Sequence, residues 1–260
     1  MSSYALGREG AEKIESERLA LLAEVYDPLT EYQLDAIGVA EGWSCLDAGA
    51  GAGAVTRLLA ARVGGSGSVL ATDLDVRLLE GLASETVEVR QHDLLADTLP
   101  RGAFDLVHAR CLLMHLPSRL EALRRLRAAV RPDGWIAICD SDFSTIEIST
   151  SSVAWRRVWS AFLDATIATG WDSRYGARLE GDLDAIELRD LRTESVCRRV
   201  PGGSPWPRLF AATLERMRDR LRAAGAQDDE VEEAQRLLRD PATRVVTATA
   251  WLGTGRTPGA

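Results

Sequence analysis

The fold is decided by Trp43-Ser-Cys-Leu-Asp47-Ala-Gly49-Ala-Gly51-Ala-Gly53-Ala-Val-Thr-Arg57-Leu-Leu-Ala60. Residues 43–48 are largely apolar and suit a buried strand, whereas the apolar residues of 55–63 have helical spacing. Three glycines at alternate positions separate the two segments, and glycine lets the backbone turn sharply and approach a ligand closely. The free N–H groups of the helix that follows would point at that ligand. The sequence therefore predicts a nucleotide-type binding turn.

Two classes of ligand fit this turn. Gly49, Gly51 and Ala54 satisfy the permissive dinucleotide pattern GxGxxG/A, which by itself is a weak indicator. Asp47 separates the two classes, because a carboxylate facing the pyrophosphate of NAD or FAD would be a costly like-charge contact. The same carboxylate suits a cationic group such as the methionyl ammonium of S-adenosylmethionine (SAM), which carries no phosphate. Asp47 therefore favours SAM.

Residues 46–53 closely resemble motif I of the class I SAM-dependent methyltransferases, in which an acidic residue precedes GxGxG. The resemblance implies an α/β, Rossmann-like fold with a seven-stranded sheet, mostly parallel with the last strand antiparallel. Helices are expected on both faces of the sheet, together with an added helical cap. The resemblance also implies SAM as the cofactor, bound by motif I residues Asp47, Gly49, Ala50, Gly51 and Gly53.

Composition limits the partners. The chain has 260 residues, 46% of them hydrophobic and 27% charged, which suits one globular α/β domain with an insertion. The net charge of −8 argues against nucleic acid, whose binding normally needs a basic surface. No uncharged apolar run reaches the roughly 18 residues of a membrane helix, and the charged N-terminal segment does not resemble a signal peptide. We expect a small-molecule substrate, a cytoplasmic location and a monomer or homodimer.

The four cysteines are far apart and form no CxxC or Cys/His cluster, so neither a zinc site nor a disulfide framework is expected. Asp140, Asp142 and Asp164 could be imagined as a metal set, but they do not form a convincing one, and no metal is predicted.

The chain is predicted to form one integrated domain. Its parts are an N-terminal helical cap (1–40), a SAM-binding core (41–145), a helical insertion with a core strand near 191–200 (146–240), and the last strand and tail (241–260). Asp27-Pro28 is expected to divide the N-terminal cap into two helices. Within it, Glu15-Ser-Glu-Arg18-Leu19 resembles a context whose arginine reaches the SAM carboxylate; the alternative is a solvated arginine on an amphipathic helix.

Acidic residues follow the second and third predicted strands. Asp73 ends the strand 68–73, about twenty residues after Gly53, which is the position of a ribose-binding carboxylate; its neighbour Leu74 is included in the site. Asp75 competes for this role but looks like the cap of a following helix. The segment from Asp93 to Pro100 resembles the family's GDxxxLP, which implies that Asp93 and the Leu94 N–H bind adenine. His92 replaces the usual small residue.

Residues 104–110 resemble motif IV, the fourth strand, whose end opens onto the methyl-transfer site, and Arg110 is included among the cofactor-binding residues. Methyl transfer needs a nucleophile held in line with the methyl group, and a general base can help. His115 is the first candidate, with Asp140 and Asp142 after the fifth strand as further candidates. Alternatively, residues 114–117 simply pack against and cap the next helix.

Beyond residue 142 the resemblance is weaker. Helices are predicted at 152–169, 178–188, 206–224 and 228–239, and a last strand at 243–251. The tryptophans of this region belong to the core of the cap, or one or two of them line an apolar pocket; they are Trp155, Trp159, Trp171 and Trp206. Tyr4 and Tyr26 are candidates to close over the cofactor.

The leading hypothesis is an enzyme that methylates oxygen, nitrogen or carbon of a small molecule, such as a secondary metabolite. The alternative is a SAM-binding protein that does not methylate, acting as a cyclase, scaffold or partner subunit, because fold does not determine chemistry. An NAD-dependent oxidoreductase is the third reading.

Overall fold

The computed structural model describes residues 11–259, with side chains from residue 13. Tyr4 and the rest of residues 1–10 of the predicted cap lie outside this range. The chain divides into two compact units. The first contains the described residues up to Val25, Asp142–Ser173 and Val196–Thr249; the second contains Tyr26–Ser141, Arg174–Ser195 and the residues from Ala250. The boundaries predicted at residues 40, 145 and 240 stay a prediction.

The strands and helices follow one another in α/β order through the first half of the chain. The strands are β1 (Ser44–Ala48), β2 (Ser68–Asp73), β3 (Val87–Gln91), β4 (Phe104–Arg110), β5 (Val130–Asp142), β6 (Glu147–Ile148), β7 (Arg189–Val196), β8 (Arg199–Pro201), β9 (Arg244–Val246) and β10 (Thr249–Arg256). The helices are α1 (Ala11–Ile37), α2 (Ala54–Val63), α3 (Arg119–Ala129), α4 (Val153–Ala168), α5 (Leu179–Asp184), α6 (Pro205–Arg216), α7 (Arg218–Ala223) and α8 (Asp228–Arg239).

The main sheet has seven strands in the order β3-β2-β1-β4-β5-β10-β7. Strand β1 pairs in parallel with β2 and β4, and further parallel pairs join β2 to β3 and β4 to β5. The last strand runs antiparallel, so the predicted Rossmann-like fold is confirmed. Because the carboxyl ends of parallel strands meet at one edge, the residues after β1, β2, β3 and β4 share the carboxyl edge of the sheet.

Buried apolar residues explain why β1 and β4 lie in the middle of this sheet. Cys45 and Leu46 of β1 and Leu106 and Val107 of β4 are each 0% exposed. A parallel sheet covered on both faces needs such continuous apolar strands, whereas β3 at the edge buries Val87 and leaves Glu88 and Gln91 exposed. The prediction of β3 as an edge strand is confirmed.

A small antiparallel sheet belongs to the first unit and has the order β6-β9-β8. The core strand predicted near 191–200 lies at Arg189–Val196 in the main sheet, and residues 199–201 pair with β9 instead. The strand predicted at 243–251 is likewise two strands, β9 and β10, in different sheets. Periodicity alone cannot show that a strand changes sheet, because both parts have the same local pattern.

The expected division of the N-terminal segment into two helices is wrong, since α1 continues through Pro28. Proline removes one hydrogen bond from a helix interior, which is normally destabilising. In the second unit, however, Tyr26, Thr30 and Leu34 recur at helical spacing on both sides of Pro28, and all are buried. Their packing outweighs the local cost of the proline.

The helix predicted after Asp75 is also absent: the residues that follow form turns and a short 3-10 helix, Glu80–Leu82. Asp75 accepts a hydrogen bond from the N–H of Arg77, two residues on (3.2 Å), and pairs with the Arg77 guanidinium. This local hydrogen bond competes with helix formation, as short polar side chains often do.

Aromatic rings pack together in the first unit. Phe162 of α4 is 0% exposed, and its ring centroid lies 5.2 Å from that of Phe210, 5.3 Å from Trp171 and 5.4 Å from Trp159. Most of these contacts have the edge-on or tilted geometry that aromatic rings prefer. The further members of the cluster are Phe143, Trp155 and Trp206. No helix in the described part of the chain has an apolar stretch that could cross a membrane.

We predict that Phe162→Ala lowers the free energy of unfolding by about 3–5 kcal/mol, because it leaves a cavity among packed rings. The control is Ile167→Ala on the same helix, where the side chain is 75% exposed and the change should stay within about 0.5 kcal/mol. Urea unfolding followed by tryptophan fluorescence measures both variants. Equal effects at the two positions would contradict the prediction.

Candidate cofactor-binding site

The glycine turn lies between β1 and α2, as predicted. Gly49, Gly51 and Gly53 have φ values of 71°, 60° and 75°, in the left-handed region that other residues rarely adopt. Space is also limited, because a Cβ on Gly49 would lie 2.9 Å from Leu112 Cδ1, and one on Gly53 would lie 2.1 Å from Leu82 Cδ1. Backbone conformation and packing therefore both require glycine in this turn.

Hydrogen bonds fasten the turn to the end of β2. The N–H groups of Gly49 and Ala50 donate to the Thr72 carbonyl (2.8 and 2.9 Å), and the Gly51 N–H donates to Asp73 Oδ2 (2.8 Å). The other carboxylate oxygen of Asp73 accepts from the Asp75 N–H (3.1 Å). Burial raises the pKa of Asp73, and the Gly51 hydrogen bond opposes that rise. Asp73 and the turn thus form one connected element.

Asp47 is 2% exposed, and partners inside the second unit surround it. Its Oδ2 accepts a hydrogen bond from the Thr56 hydroxyl of α2 (2.7 Å), and its Oδ1 lies 3.8 Å from His108 Nδ1 on β4. His108 is 0% exposed, and neither ring nitrogen has a hydrogen-bond partner among the described residues. The sequence analysis missed Thr56 and His108, because neither residue lies in a recognisable motif.

The segment predicted to bind adenine follows β3. Asp93 is half-buried, and its Oδ1 accepts from the Leu95 N–H (2.9 Å); Leu94 is 8% exposed, and its carbonyl accepts from Arg125 (3.3 Å). His92 is buried, its N–H donates to the Asp73 carbonyl (2.9 Å), and its Nε2 has no hydrogen-bond partner in the described chain. Leu74 is 40% exposed. The segments after β2 and β3 are therefore adjacent.

The candidate base His115 ends a short 3-10 helix, Leu113–His115, after β4 and is half-buried. Asp140 of β5 is 0% exposed, and its Oδ2 accepts from the N–H groups of Leu113 (2.9 Å) and Met114 (3.2 Å). Burial raises the pKa of Asp140 from 3.8 to about 7, although these hydrogen bonds oppose the rise. The sequence predicted that His115 and Asp140 lie at the same edge of the sheet, but it did not predict the hydrogen bonds between Asp140 and the segment before His115.

Three further predicted site residues have partners inside their own units. Arg110 is 9% exposed and donates to Asp27 Oδ1 (2.8 Å) and Thr30 Oγ1 (3.0 Å) of α1. In the first unit, Asp142 Oδ1 accepts from the Ser144 N–H (2.8 Å), and Arg18 pairs with Glu15 (2.5 Å). Their direct roles in catalysis or cofactor binding stay predictions.

Tyr26, the second tyrosine predicted to close over the cofactor, is buried, and its hydroxyl hydrogen-bonds to Ser141 Oγ (2.7 Å). Burial raises the pKa of Tyr26 well above its ordinary value. Among residues 13–259, no group of three or more His, Cys, Asp and Glu side chains is placed to hold a metal ion.

Comparison with known proteins agrees with this architecture. A family model described as "Methyltransferase domain" matches residues 46–138. Methyltransferase str2 of Strobilurus tenacellus is 26% identical over 188 residues, which cover 72% of this chain and 68% of that protein. Nocamycin O-methyltransferase of Saccharothrix syringae is 32% identical over 122 residues, which cover 44% of each chain. The chain thus spans less than half the length of one of these relatives.

Among solved structures, the cyclase SpnF superposes with a TM-score of 0.60 at 17% identity, over 91% of this chain and 82% of that one. The fold and the glycine turn define the class as a Rossmann-like domain of the SAM-binding type. Residues 46–138 belong to the methyltransferase-domain family, and together with the fold they support a class I SAM-dependent methyltransferase. Its cofactor is SAM.

The residues present fit this cofactor. The left-handed turn leaves no Cβ over Gly49 and Gly53, so a ligand can approach the backbone there closely. Asp47 lies near the end of β1, Asp73 ends β2 and Asp93 follows β3, and these three strands are neighbours. Their carboxylates disfavour a ligand with phosphates and suit an ammonium and hydroxyl groups. Asp73 would hold the ribose of SAM.

The raised pKa of Asp140 predicts a pH dependence of stability. The folded state keeps the proton of Asp140 up to about pH 7, whereas the unfolded chain releases it near pH 3.8. This contribution to stability is therefore present below pH 3.8 and is lost as the pH rises through about 7. The free energy of unfolding of the unmodified protein should therefore fall as the pH rises between these values. In Asp140→Asn this fall should be smaller by an amount on the order of a few kcal/mol. Urea titrations across that range measure it, and an unchanged slope would contradict it.

Proposed function

We propose that this protein transfers the methyl group of SAM to an oxygen, nitrogen or carbon atom of a small molecule, such as a secondary metabolite. The observation that carries the proposal is the left-handed glycine turn tied to the Asp73 carboxylate at the carboxyl edge of the sheet. The net charge of −8 supports a small acceptor over nucleic acid. The relatives' names support a role in biosynthesis, since one is an O-methyltransferase for nocamycin.

When bound, SAM supplies a methyl group already activated by a sulfonium. The protein then has to hold the acceptor in line and keep water out, which is a matter of positioning more than of covalent chemistry. We propose that Asp73 accepts hydrogen bonds from the ribose hydroxyls, while Gly51 keeps the Asp73 carboxylate in place. Asp93 and the Leu94 N–H are proposed to bind adenine, and Asp47 to favour the ammonium.

His115 is proposed to take the acceptor's proton as general base. It follows the motif IV strand at the carboxyl edge, and an imidazole suits proton transfer near neutral pH. The four cysteines are all free thiols, as a reducing compartment would keep them, which supports a cytoplasmic location. That the protein is a monomer or a homodimer stays a prediction.

A second function is favoured by one observation, the similarity in fold to the cyclase SpnF. A protein of this kind would bind SAM and catalyse a reaction other than methyl transfer, because one fold can carry several chemistries. Saturable binding of SAM with no methyl transfer to a broad panel of hydroxyl, amine and carbon acceptors would favour this alternative. Transfer of a radiolabelled methyl group to any acceptor would support the methyltransferase.

The class of cofactor is tested by calorimetry with S-adenosylhomocysteine and with NADH. We predict saturable binding of S-adenosylhomocysteine and none of NADH, because the acidic strand ends repel phosphates. Binding of NADH with the tighter affinity would overturn the assignment and leave an oxidoreductase as the better description.

The ribose assignment predicts that Asp73→Ala weakens binding of S-adenosylhomocysteine at least about 100-fold, since two hydrogen bonds to a charged group are lost. The control is Asp75→Ala, two residues away, whose carboxylate pairs with the exposed Arg77 and should change affinity by less than about threefold. Calorimetry on both variants, with circular dichroism to check folding, measures the difference. Normal affinity in a folded Asp73→Ala protein would remove the assignment.

The base assignment predicts that His115→Ala lowers the turnover number by about 100-fold or more, the usual contribution of a general base. Binding of S-adenosylhomocysteine should change little in the same variant, because the proposed partners of the cofactor are other residues. Steady-state kinetics with an acceptor found in the panel, together with calorimetry, separate the two effects. Unchanged turnover would return His115 to a packing role.

A further inference from the structure

Asp140 binds the backbone of the segment that carries His115. One oxygen of this fully buried carboxylate accepts hydrogen bonds from the N–H groups of both Leu113 (2.9 Å) and Met114 (3.2 Å), and the other accepts from the Ser141 N–H (3.3 Å). The first N–H groups of a helical turn have no partner inside the turn. Asp140 therefore supplies from β5 the acceptor that the 3-10 helix Leu113–His115 lacks.

A carboxylate is well suited to this position. Above about pH 7, where Asp140 is ionised, these hydrogen bonds are stronger than those between neutral groups, and two of them on one oxygen fix the direction of the bound backbone. Leu113 and Met114 are themselves buried, so the turn is held by packing on one side and by Asp140 at its start. His115 follows Met114 directly, and its own N–H donates to the Leu112 carbonyl (3.0 Å).

We propose that Asp140 is a positioning residue, which fixes the Leu113–His115 turn and through it the imidazole of His115. This inference rests on the proposed role of His115 as the base. It assigns Asp140 a different role from the direct contact with substrate that the sequence left open. The backbone hydrogen bonds occupy both carboxylate oxygens, and the side chain has no exposed surface.

Amide hydrogen exchange tests the contact without any acceptor. At about pH 8, where Asp140 is ionised, the Leu113 and Met114 amides of the unmodified protein should exchange slowly. At that pH, Asp140→Asn should accelerate both by at least about tenfold, because hydrogen bonds to a charged acceptor are replaced by weaker bonds to a neutral one. Exchange is read by NMR relative to amides in the middle of β2, which report global opening.

A matched control is Asp105→Asn. Asp105 is also a carboxylate that binds a backbone amide, accepting from the Ser44 N–H (2.7 Å), but it lies near the start of β4. This variant should accelerate exchange of the Ser44 amide and leave exchange of the Leu113 and Met114 amides slow. Equal acceleration of the latter two amides in both variants would show a general loosening and overturn the proposal.

The imidazole supplies a second readout. The chain has three histidines, so a protein with isotope-labelled histidine gives three ring signals, and His115→Gln identifies the one from His115. Asp140→Asn should shift or broaden the His115 signal, whereas Asp105→Asn should leave it in place. A His115 signal unchanged in Asp140→Asn would overturn the proposal, because the turn would then hold the ring without Asp140.

These measurements separate the two proposals. One outcome is that Asp140→Asn changes the exchange of the Leu113 and Met114 amides and the His115 ring signal while His115→Ala keeps normal turnover. In that case the positioning role of Asp140 is supported and the assignment of His115 as the base fails. If the ring is unaffected but His115→Ala is inactive, the base assignment stands and the positioning role fails. Should Asp140→Asn not fold, the unmodified protein still decides, since fast exchange at Leu113 and Met114 contradicts the proposal and slow exchange supports it.

Discussion

The hydrogen bond from the Gly51 N–H to the Asp73 carboxylate is the contact on which the site depends (2.8 Å). It joins the turn after β1 to the end of β2, and glycine readily adopts the left-handed conformation that Gly51 has when its N–H donates to Asp73. Parallel pairing of β1 with β2 brings the two segments to the same edge. The positions of the acidic groups that are proposed to bind the cofactor thus follow from the strand pairing.

Buried carboxylates fasten the same edge elsewhere. Asp47 accepts a hydrogen bond from the Thr56 hydroxyl, and Asp140 accepts hydrogen bonds from two backbone N–H groups. Burying a carboxylate is unfavourable unless hydrogen bonds compensate, so each of these groups is held by specific partners. Burial raises the pKa of both Asp73 and Asp140, since an apolar surrounding disfavours the charged form. Each of these carboxylates is therefore oriented by its own hydrogen-bond partners.

The fold and the cofactor of the matched domain allow more than one chemistry, so they do not by themselves identify the acceptor. The first unit carries the aromatic cluster around Phe162 and its own antiparallel sheet, and this part extends beyond the matched methyltransferase domain at residues 46–138. A cyclase with a similar fold shows that the architecture alone does not choose the reaction. The accepting atom must follow from side chains, not from the sheet.

The sequence by itself determined the elements whose signals are local: β1, the glycine turn, α2, β2 and α8 lie where spacing and turn residues predicted them. The acidic residues predicted at the strand ends also indicated the cofactor from the sequence alone. Tertiary structure decided what depends on distant partners. Pro28 stays inside α1 because residues on both sides of it are buried, and the strands near 191–200 and 243–251 divide between two sheets. Asp140 of β5 accepts a hydrogen bond from the N–H of Leu113, which follows the paired strand β4. Only the folded chain creates this contact, because no local sequence pattern shows which strand ends become neighbours.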